Sequence, residues 1–432
     1  MLKLIVAFAA VAASNFAAAN RVVCYYDSRS IHREGPGRMI PSDIDPVLSY
    51  CTHLIYGYAK IDSHQKIAAL DESLDLSSGK DNYRAITALK KRFPQVKFLL
   101  SVGGGADLDD ADKYNKILED SSNRAQFVHS VKAFLKRNDF DGLDLSWQLP
   151  EIYKKKDRGT FGSIWHGVKK TFGYAHSHKD EKADEHREGF TKLVQDLRKE
   201  LRDDNLLLTA TVLSNVNASM YFEADKLAKE IDQIHLKAFD FKSPQKDPNE
   251  ADYSAALFPS EQRDPFFTVD GQVRSFIERG FPSNKIILGI PTYAVTWKLT
   301  SESKISGVPP IQAEGPGEEG PQTKSPGRLS YAEVCSLIDN PINKGNNKHL
   351  LRRVNDPAKK SGSYGFRLPD GDSIEGLWAS FTDPDTAGDK AAYAKAKSLG
   401  GIAFWDISLD DFRGVCNGVK YPIIHTAKNR LV

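Results

Sequence analysis

The chain reads as an α/β protein built on a parallel sheet. Eight short apolar runs recur along it, at 21–28, 53–59, 97–103, 140–147, 206–212, 232–239, 285–291 and 400–406, and each has the length of a strand. Amphipathic helical patterns separate several of them, at 81–93, 122–138, 184–201 and 384–399. Strands alternating with helices point to βα units, because two parallel strands need a crossover long enough to hold a helix. The most economical closure is a (β/α)8 barrel. A doubly wound open sheet satisfies the same pattern.

Composition bounds the function. A chain of 432 residues that is 40% hydrophobic can bury one large core, or a core plus an inserted unit. Lys+Arg 59 against Asp+Glu 57 leaves a net charge of +2, which argues against a nucleic-acid partner.

Taken in order, residues 1–19 carry Lys3, an apolar run from Leu4 to Ala13, and Ala17-Ala18-Ala19. This is the pattern of a secretory signal cut before Asn20, and the run is too short to span a bilayer. The remainder is expected to be extracellular, without membrane insertion. Secretion makes Cys24, Cys51, Cys335 and Cys416 a disulfide question with three possible pairings. Cys24 lies in the first strand and Cys51 just before the second, so sequential neighbours would meet, which leaves Cys335 with Cys416. No C-x-x-C spacing or His cluster suggests a metal, and no cofactor motif is present. The helix at 122–138 places Phe127, Val131, Phe134 and Leu135 on one face, with Ser122 as its N-cap. Asn217-Ala218-Ser219 is an N-glycosylation sequon in the loop after the fifth strand.

The fourth strand carries the chemistry. It reads Phe140-Asp141-Gly142-Leu143-Asp144-Leu145-Ser146-Trp147-Gln148-Leu149-Pro150. Period two puts Asp144, Ser146 and Gln148 on one face, where small polar groups must find partners inside the sheet. Such a row lines a site. Further motifs follow the same order: Ser101-Val102-Gly103-Gly104 on strand three, Leu288-Gly289-Ile290-Pro291-Thr292-Tyr293 on strand seven, and Gly400-Gly401-Ile402-Ala403-Phe404-Trp405-Asp406 on strand eight.

Together these segments resemble the family 18 glycosidases, the chitinases and chitinase-like proteins, whose signature strand is D-x-x-D-x-D-x-E. The resemblance covers nearly the whole chain after residue 19. It implies a (β/α)8 TIM barrel and the same cysteine pairing, Cys24–Cys51 and Cys335–Cys416. Asp141 and Asp144 match the first two acidic positions, while Ser146 and Gln148 stand where the third Asp and the Glu would be. In the family that Glu is the proton donor, and the substrate's own N-acetyl group is the nucleophile. An amide has no titratable proton near neutral pH, so the resemblance implies a pseudo-glycosidase rather than an enzyme. Phe239-Asp240 replaces the family's Tyr-Asp pair, and Lys237 takes a Met position before it. Arg29 and Gly105 stand where two tryptophans would. Tyr25, Tyr58, Trp147, Tyr293 and Trp405 are the aromatic residues left for sugar binding. Trp405 matches the tryptophan that floors the central subsite.

Two insertions interrupt the alternation. Residues 298–377 resemble the α+β subdomain that chitinase-like barrels carry between strand seven and the last helix, so the barrel comprises 20–297 and 378–432. Residues 151–183 follow the signature strand directly. They are dense in charge but carry Tyr153, Phe161, Ile164, Trp165, Phe172 and Tyr174. In a barrel this is a βα loop at the C-terminal mouth, where sites are built. This loop together with Gln148 most resembles the insect imaginal disc growth factors. That implies a secreted, monomeric growth-promoting or tissue-organising factor with a cell-surface protein receptor. A non-hydrolytic lectin for chitin or chitooligosaccharide is the alternative, and an active chitinase comes last. If the loop is the recognition surface, deleting most of 154–182 should abolish growth promotion and leave the barrel folded, because a mouth loop adds little to the core. Trp405→Ala should affect activity less. Cell proliferation and thermal unfolding, measured side by side, separate the two.

Overall fold

A computed structural model of the chain describes residues 21–107, 109–110, 112–150, 180–260, 263–303, 306–338, 350–356, 362–370 and 375–432. The signal segment 1–19 and most of the 151–183 insertion lie outside the described residues.

Eight parallel strands form the centre: β1 (Arg21–Asp27), β2 (His53–Ile61), β3 (Lys97–Gly103), β4 (Gly142–Ser146), β5 (Leu207–Val212), β6 (Gln233–Leu236), β7 (Ile286–Pro291) and β8 (Gly401–Trp405). Each pairs with its neighbour, and β1 pairs with both β8 and β2. Cys24 lies opposite Phe404 on one side and Leu54 on the other. This second pairing closes the sheet into a barrel and excludes the open doubly wound arrangement.

Strand parity divides the residues between two cores. Leu143 and Leu145 of β4, with Trp147 beyond it, point out towards the helices, while Asp144 and Ser146 are buried in the barrel. Trp147 therefore belongs to the outer core and is not a sugar platform. Its ring meets Tyr114 at 5.0 Å, Phe127 at 5.5 Å and Phe190 at 6.5 Å. Those residues come from the helices Asp112–Glu119, Ser121–Arg137 and Ala183–Leu201, so one side chain ties three helices to the sheet. The second of these helices is capped by Asp120, which accepts from Ser122 N at 2.7 Å and Asn123 N at 3.0 Å. The cap expected at Ser122 thus moves two residues back, because a carboxylate can accept from two end amides at once.

After β7 the chain builds a five-stranded antiparallel sheet, ordered Arg328–Ser330, Tyr293–Leu299, Gly376–Phe381, Ser363–Arg367, Arg352–Asn355. Two of its strands, Tyr293–Leu299 and Gly376–Phe381, begin or end outside 298–377, since the chain pairs immediately on leaving and before rejoining the barrel. Cys335, in the helix Tyr331–Leu337, is bonded to Cys416 after β8, with Cα atoms 5.8 Å apart. That bridge staples the insertion to the barrel's last loop. Cys24 is bonded to Cys51 across 27 residues, a closure whose chain-entropy effect is about 3–4 kcal/mol. Among the described residues no helix is long and apolar enough to cross a membrane.

Trp147→Ala should cost about 3–5 kcal/mol of stability, because it removes the ring that all three helices share. Urea unfolding measures this, and ligand binding at the barrel mouth should be unchanged.

Candidate functional site

The polar face of β4 opens onto a network that fills the barrel interior. Asp144 is fully buried. Its Oδ2 accepts from Ser101 Oγ at 2.7 Å and Ser146 Oγ at 3.0 Å, and its Oδ1 accepts from Thr209 Oγ1 at 2.8 Å and Thr211 Oγ1 at 3.0 Å. Four hydroxyls from β3, β4 and β5 thus solvate one carboxylate. The network continues through β6. Tyr25 Oη lies 2.5 Å from His235 Nδ1, while His235 Nε2 faces Gln233 Oε1 at 3.2 Å. With Gln233 Nε2 donating to His53 Nε2 at 3.0 Å, its carbonyl must accept the proton of His235 Nε2, leaving Nδ1 to accept the Tyr25 hydroxyl. Burial pushes His235 down to about 4 and His53 down to about 3, so both rings are neutral at physiological pH.

Above this layer sits the aromatic floor. Tyr25 stacks on Trp405 at 4.0 Å, and Phe239 lies 5.8 Å from the same indole. Gly289 makes room for both: a Cβ there would come within 3.0 Å of Phe239 and of Trp405. Trp405 is only 4% exposed, so its stacking surface is largely covered. Tyr58 and Tyr293 flank the mouth, and Tyr25 lies beneath the floor rather than at the surface.

The positions singled out in the sequence separate into three groups. Asp144, Ser146, Phe239, Asp240, Tyr293 and Trp405 come together at the mouth or just beneath it. Asp141 does not. At the opposite end of the strand its Oδ2 accepts from Phe98 N at 2.8 Å, and Lys90 Nζ lies 3.0 Å from its Oδ1. Gln148 is near the mouth but turned aside, donating from Nε2 to the carbonyl of Asp107 at 2.8 Å. The donation to Asp144 that its period-two position suggests is not made, because hydroxyls already fill that carboxylate. Asp107 is a buried anchor in its own right, accepting from Tyr114 Oη at 2.9 Å and Ile61 N at 3.0 Å and pairing with Lys113.

Charges ring the mouth. Arg29 forms a two-pronged pair with Asp27 at 2.9 and 2.6 Å. Asp240 Oδ2 accepts from Tyr293 Oη at 2.6 Å and faces Arg328 at 3.7 Å. Lys237 lies with Nζ 5.4 Å from the Trp405 ring centroid and 5.5 Å from that of Phe239. Burial pushes its ammonium down to about 8, against the pull of Asp240.

This barrel, with its motif strands in order, matches the model of glycosyl hydrolases family 18 over residues 21–410. The chain belongs to glycosyl hydrolase family 18. Among family 18 relatives, it is 47% identical to chitinase-like protein EN03 of Bombyx mori over 95% of each chain. It is 44% identical to imaginal disk growth factor 6 of Drosophila melanogaster, over 95% of this chain and 93% of the relative. The fold is similar to the second catalytic domain of an Ostrinia furnacalis group II chitinase (28% identity, TM-score 0.78, 96% of each chain). It is also similar to human YKL-39, described as a pseudo-chitinase with retained chitooligosaccharide binding properties (29% identity, TM-score 0.75, 96% of this chain and all of that one).

Among the described residues, one grouping of metal-type side chains is close enough to share an ion: Cys335, Asp411 and Cys416. Both sulfurs are in a disulfide, and Asp411 accepts from the amides of Gly414, Val415 and Cys416. Thr209, Thr211, His53, Gln233 and His235 were not singled out in the sequence, and Ser101 stood out only as part of its strand-three motif. The signal was present, since each is a polar residue alternating with apolar ones in a barrel strand, as Asp144 and Ser146 are.

The buried histidines set a pH dependence. Between their lowered folded values and the ordinary value near 6.5, the unfolded chain binds more protons, so stability falls as pH falls. For His235 alone the loss at pH 4 should be on the order of 3 kcal/mol relative to pH 7. Burial raises Asp410 to about 7 and Asp75 to about 6, which acts in the opposite sense, so denaturant unfolding from pH 7 to pH 4 should show the histidine contribution as a less acid-sensitive stability for His235→Gln than for the wild type.

Proposed function

We propose that this family 18 chain is a secreted, non-hydrolytic factor that promotes growth or organises tissue through a cell-surface receptor. Gln148 carries the non-hydrolytic half of this reading. An amide stands where the resemblance places the acid, and its N–H is committed to the Asp107 carbonyl. The neighbouring position offers a serine hydroxyl instead of a second carboxylate, and Phe239 offers no hydroxyl. The growth-promoting half rests on likeness to imaginal disk growth factor 6. Secretion would bring N-glycosylation at Asn217, which is exposed at the start of the short helix Ala218–Tyr221.

The likeness to YKL-39 supports a second reading, in which the mouth binds chitooligosaccharide without cleaving it. The near-complete burial of Trp405 weighs against a neutral sugar stacking there without rearrangement.

The purified protein should release no product from chitin or chromogenic chitooligosaccharides above a buffer blank. Loss of general acid help alone lowers rates ~100- to ~10,000-fold. Gln148→Glu alone should restore little, since Ser146→Asp and Phe239→Tyr are also required. Turnover that disappears in Gln148→Ala would refute this reading.

A further inference from the structure

Among the described residues, the charged side chains at the mouth have hydrogen-bond or ion-pair partners with one exception. Asp27 holds Arg29 through both oxygens. Asp240 Oδ2 is taken by Tyr293 and faces Arg328, and Asp406 Oδ1 accepts from Ser408 N at 2.8 Å. The ammonium of Lys237 forms no hydrogen bond or ion pair among the described residues, and its contacts are the faces of Phe239 and Trp405. Two further atoms beside it lack partners. Among the described residues, the buried indole N–H of Trp405 has no acceptor, and Asp240 Oδ1, also buried, has no donor.

Lys237 continues the inward-facing row of Gln233 and His235, which places it at the end of β6 over the centre of the barrel. A lysine half-removed from water is destabilised in its charged form unless an anion joins it. A neutral N-acetylhexosamine cannot supply that anion, and the ammonium lies over the indole where its ring would stack. An acidic sugar supplies a carboxylate for Lys237, the half-buried member of the three, while the Trp405 N–H and Asp240 Oδ1 are shut off from solvent beside it.

We propose that the barrel mouth holds an anion subsite centred on Lys237, which takes the carboxylate of a hexuronate-containing saccharide in place of a neutral N-acetylhexosamine. This rests on the saccharide-binding reading of the mouth and is independent of the growth-promoting one.

Calorimetric titration of the full chain at low ionic strength tests it, with a tetrasaccharide of alternating glucuronate and N-acetylglucosamine against neutral chitotetraose. The acidic probe should bind at least about tenfold more tightly. Lys237→Met should lose that advantage, and Lys237→Arg should keep it, with thermal unfolding showing both variants folded. Asp27, Asp240, Asp406 and Arg328 also face the ammonium. With that ammonium titrating at about 8, raising the pH to 9 should weaken the acidic probe about tenfold in the wild type and leave Lys237→Arg unchanged. Equal or tighter binding of chitotetraose overturns the proposal, as does undiminished acidic binding in Lys237→Met. Displacement by an equal concentration of acetate overturns the sugar assignment. If neither saccharide binds while cells still respond to the protein, the anion subsite falls and the signalling reading stands.

Discussion

A carboxylate shut inside a barrel must be solvated by the protein, because no water shell remains to stabilise its charge. Asp144 imposes that requirement here, and much of the interior is arranged to meet it. Ser101, Ser146, Thr209 and Thr211 each direct a hydroxyl at it from three successive strands. The register between β3, β4 and β5 therefore has a polar reason as well as an apolar one. A one-residue slip would turn the hydroxyls outward and strand the charge. The neutral histidines below belong to the same economy of donors. Tyr25 Oη lies between His235 Nδ1 at 2.5 Å and Asp144 Oδ2 at 3.2 Å, which joins the histidine layer to the carboxylate's shell.

Ser146 shows how one residue sets the character of the site. A second carboxylate two residues from Asp144 would face it closely, and two like charges in a dry interior must share a proton. A pair of that kind stores a proton for chemistry. A serine in its place donates instead, so the interior becomes a fully solvated and electrically settled core. Gln148 turns to Asp107 instead of Asp144, which joins the end of β4 to the loop after β3. What remains unsettled lies one layer higher, where Lys237 meets the aromatic floor.

The outer core is organised separately. Trp147 gathers three helices on the far side of the same strand, so β4 serves both layers at once. The five-stranded insertion is fastened at both ends, by the pairing of Tyr293–Leu299 with Gly376–Phe381 and by the Cys335–Cys416 bridge.

The alternation of strands with helices and the polar row on strand four were legible in the sequence, because side-chain period follows directly from backbone geometry. The family 18 frame was legible too, through four ordered motifs. So was the amide at 148, since residue type alone decides whether a titratable proton exists there. Closure of the sheet was legible only through the family resemblance, because the strand pattern alone leaves open whether β1 meets β8. The fate of individual residues at shared positions was not legible. Asp141 and Asp144 look alike in the sequence, yet one holds the amide of Phe98 and the other sits at the centre of the barrel. Trp147 and Trp405 look equally suited to a sugar, yet parity sends one to the helices and leaves the other under Lys237. Lys237 itself is one lysine among many by composition. Only the convergence of β6 and β8 places it against two aromatic faces with no ion pair among the described residues, because an ion pair is a property of distance and not of sequence.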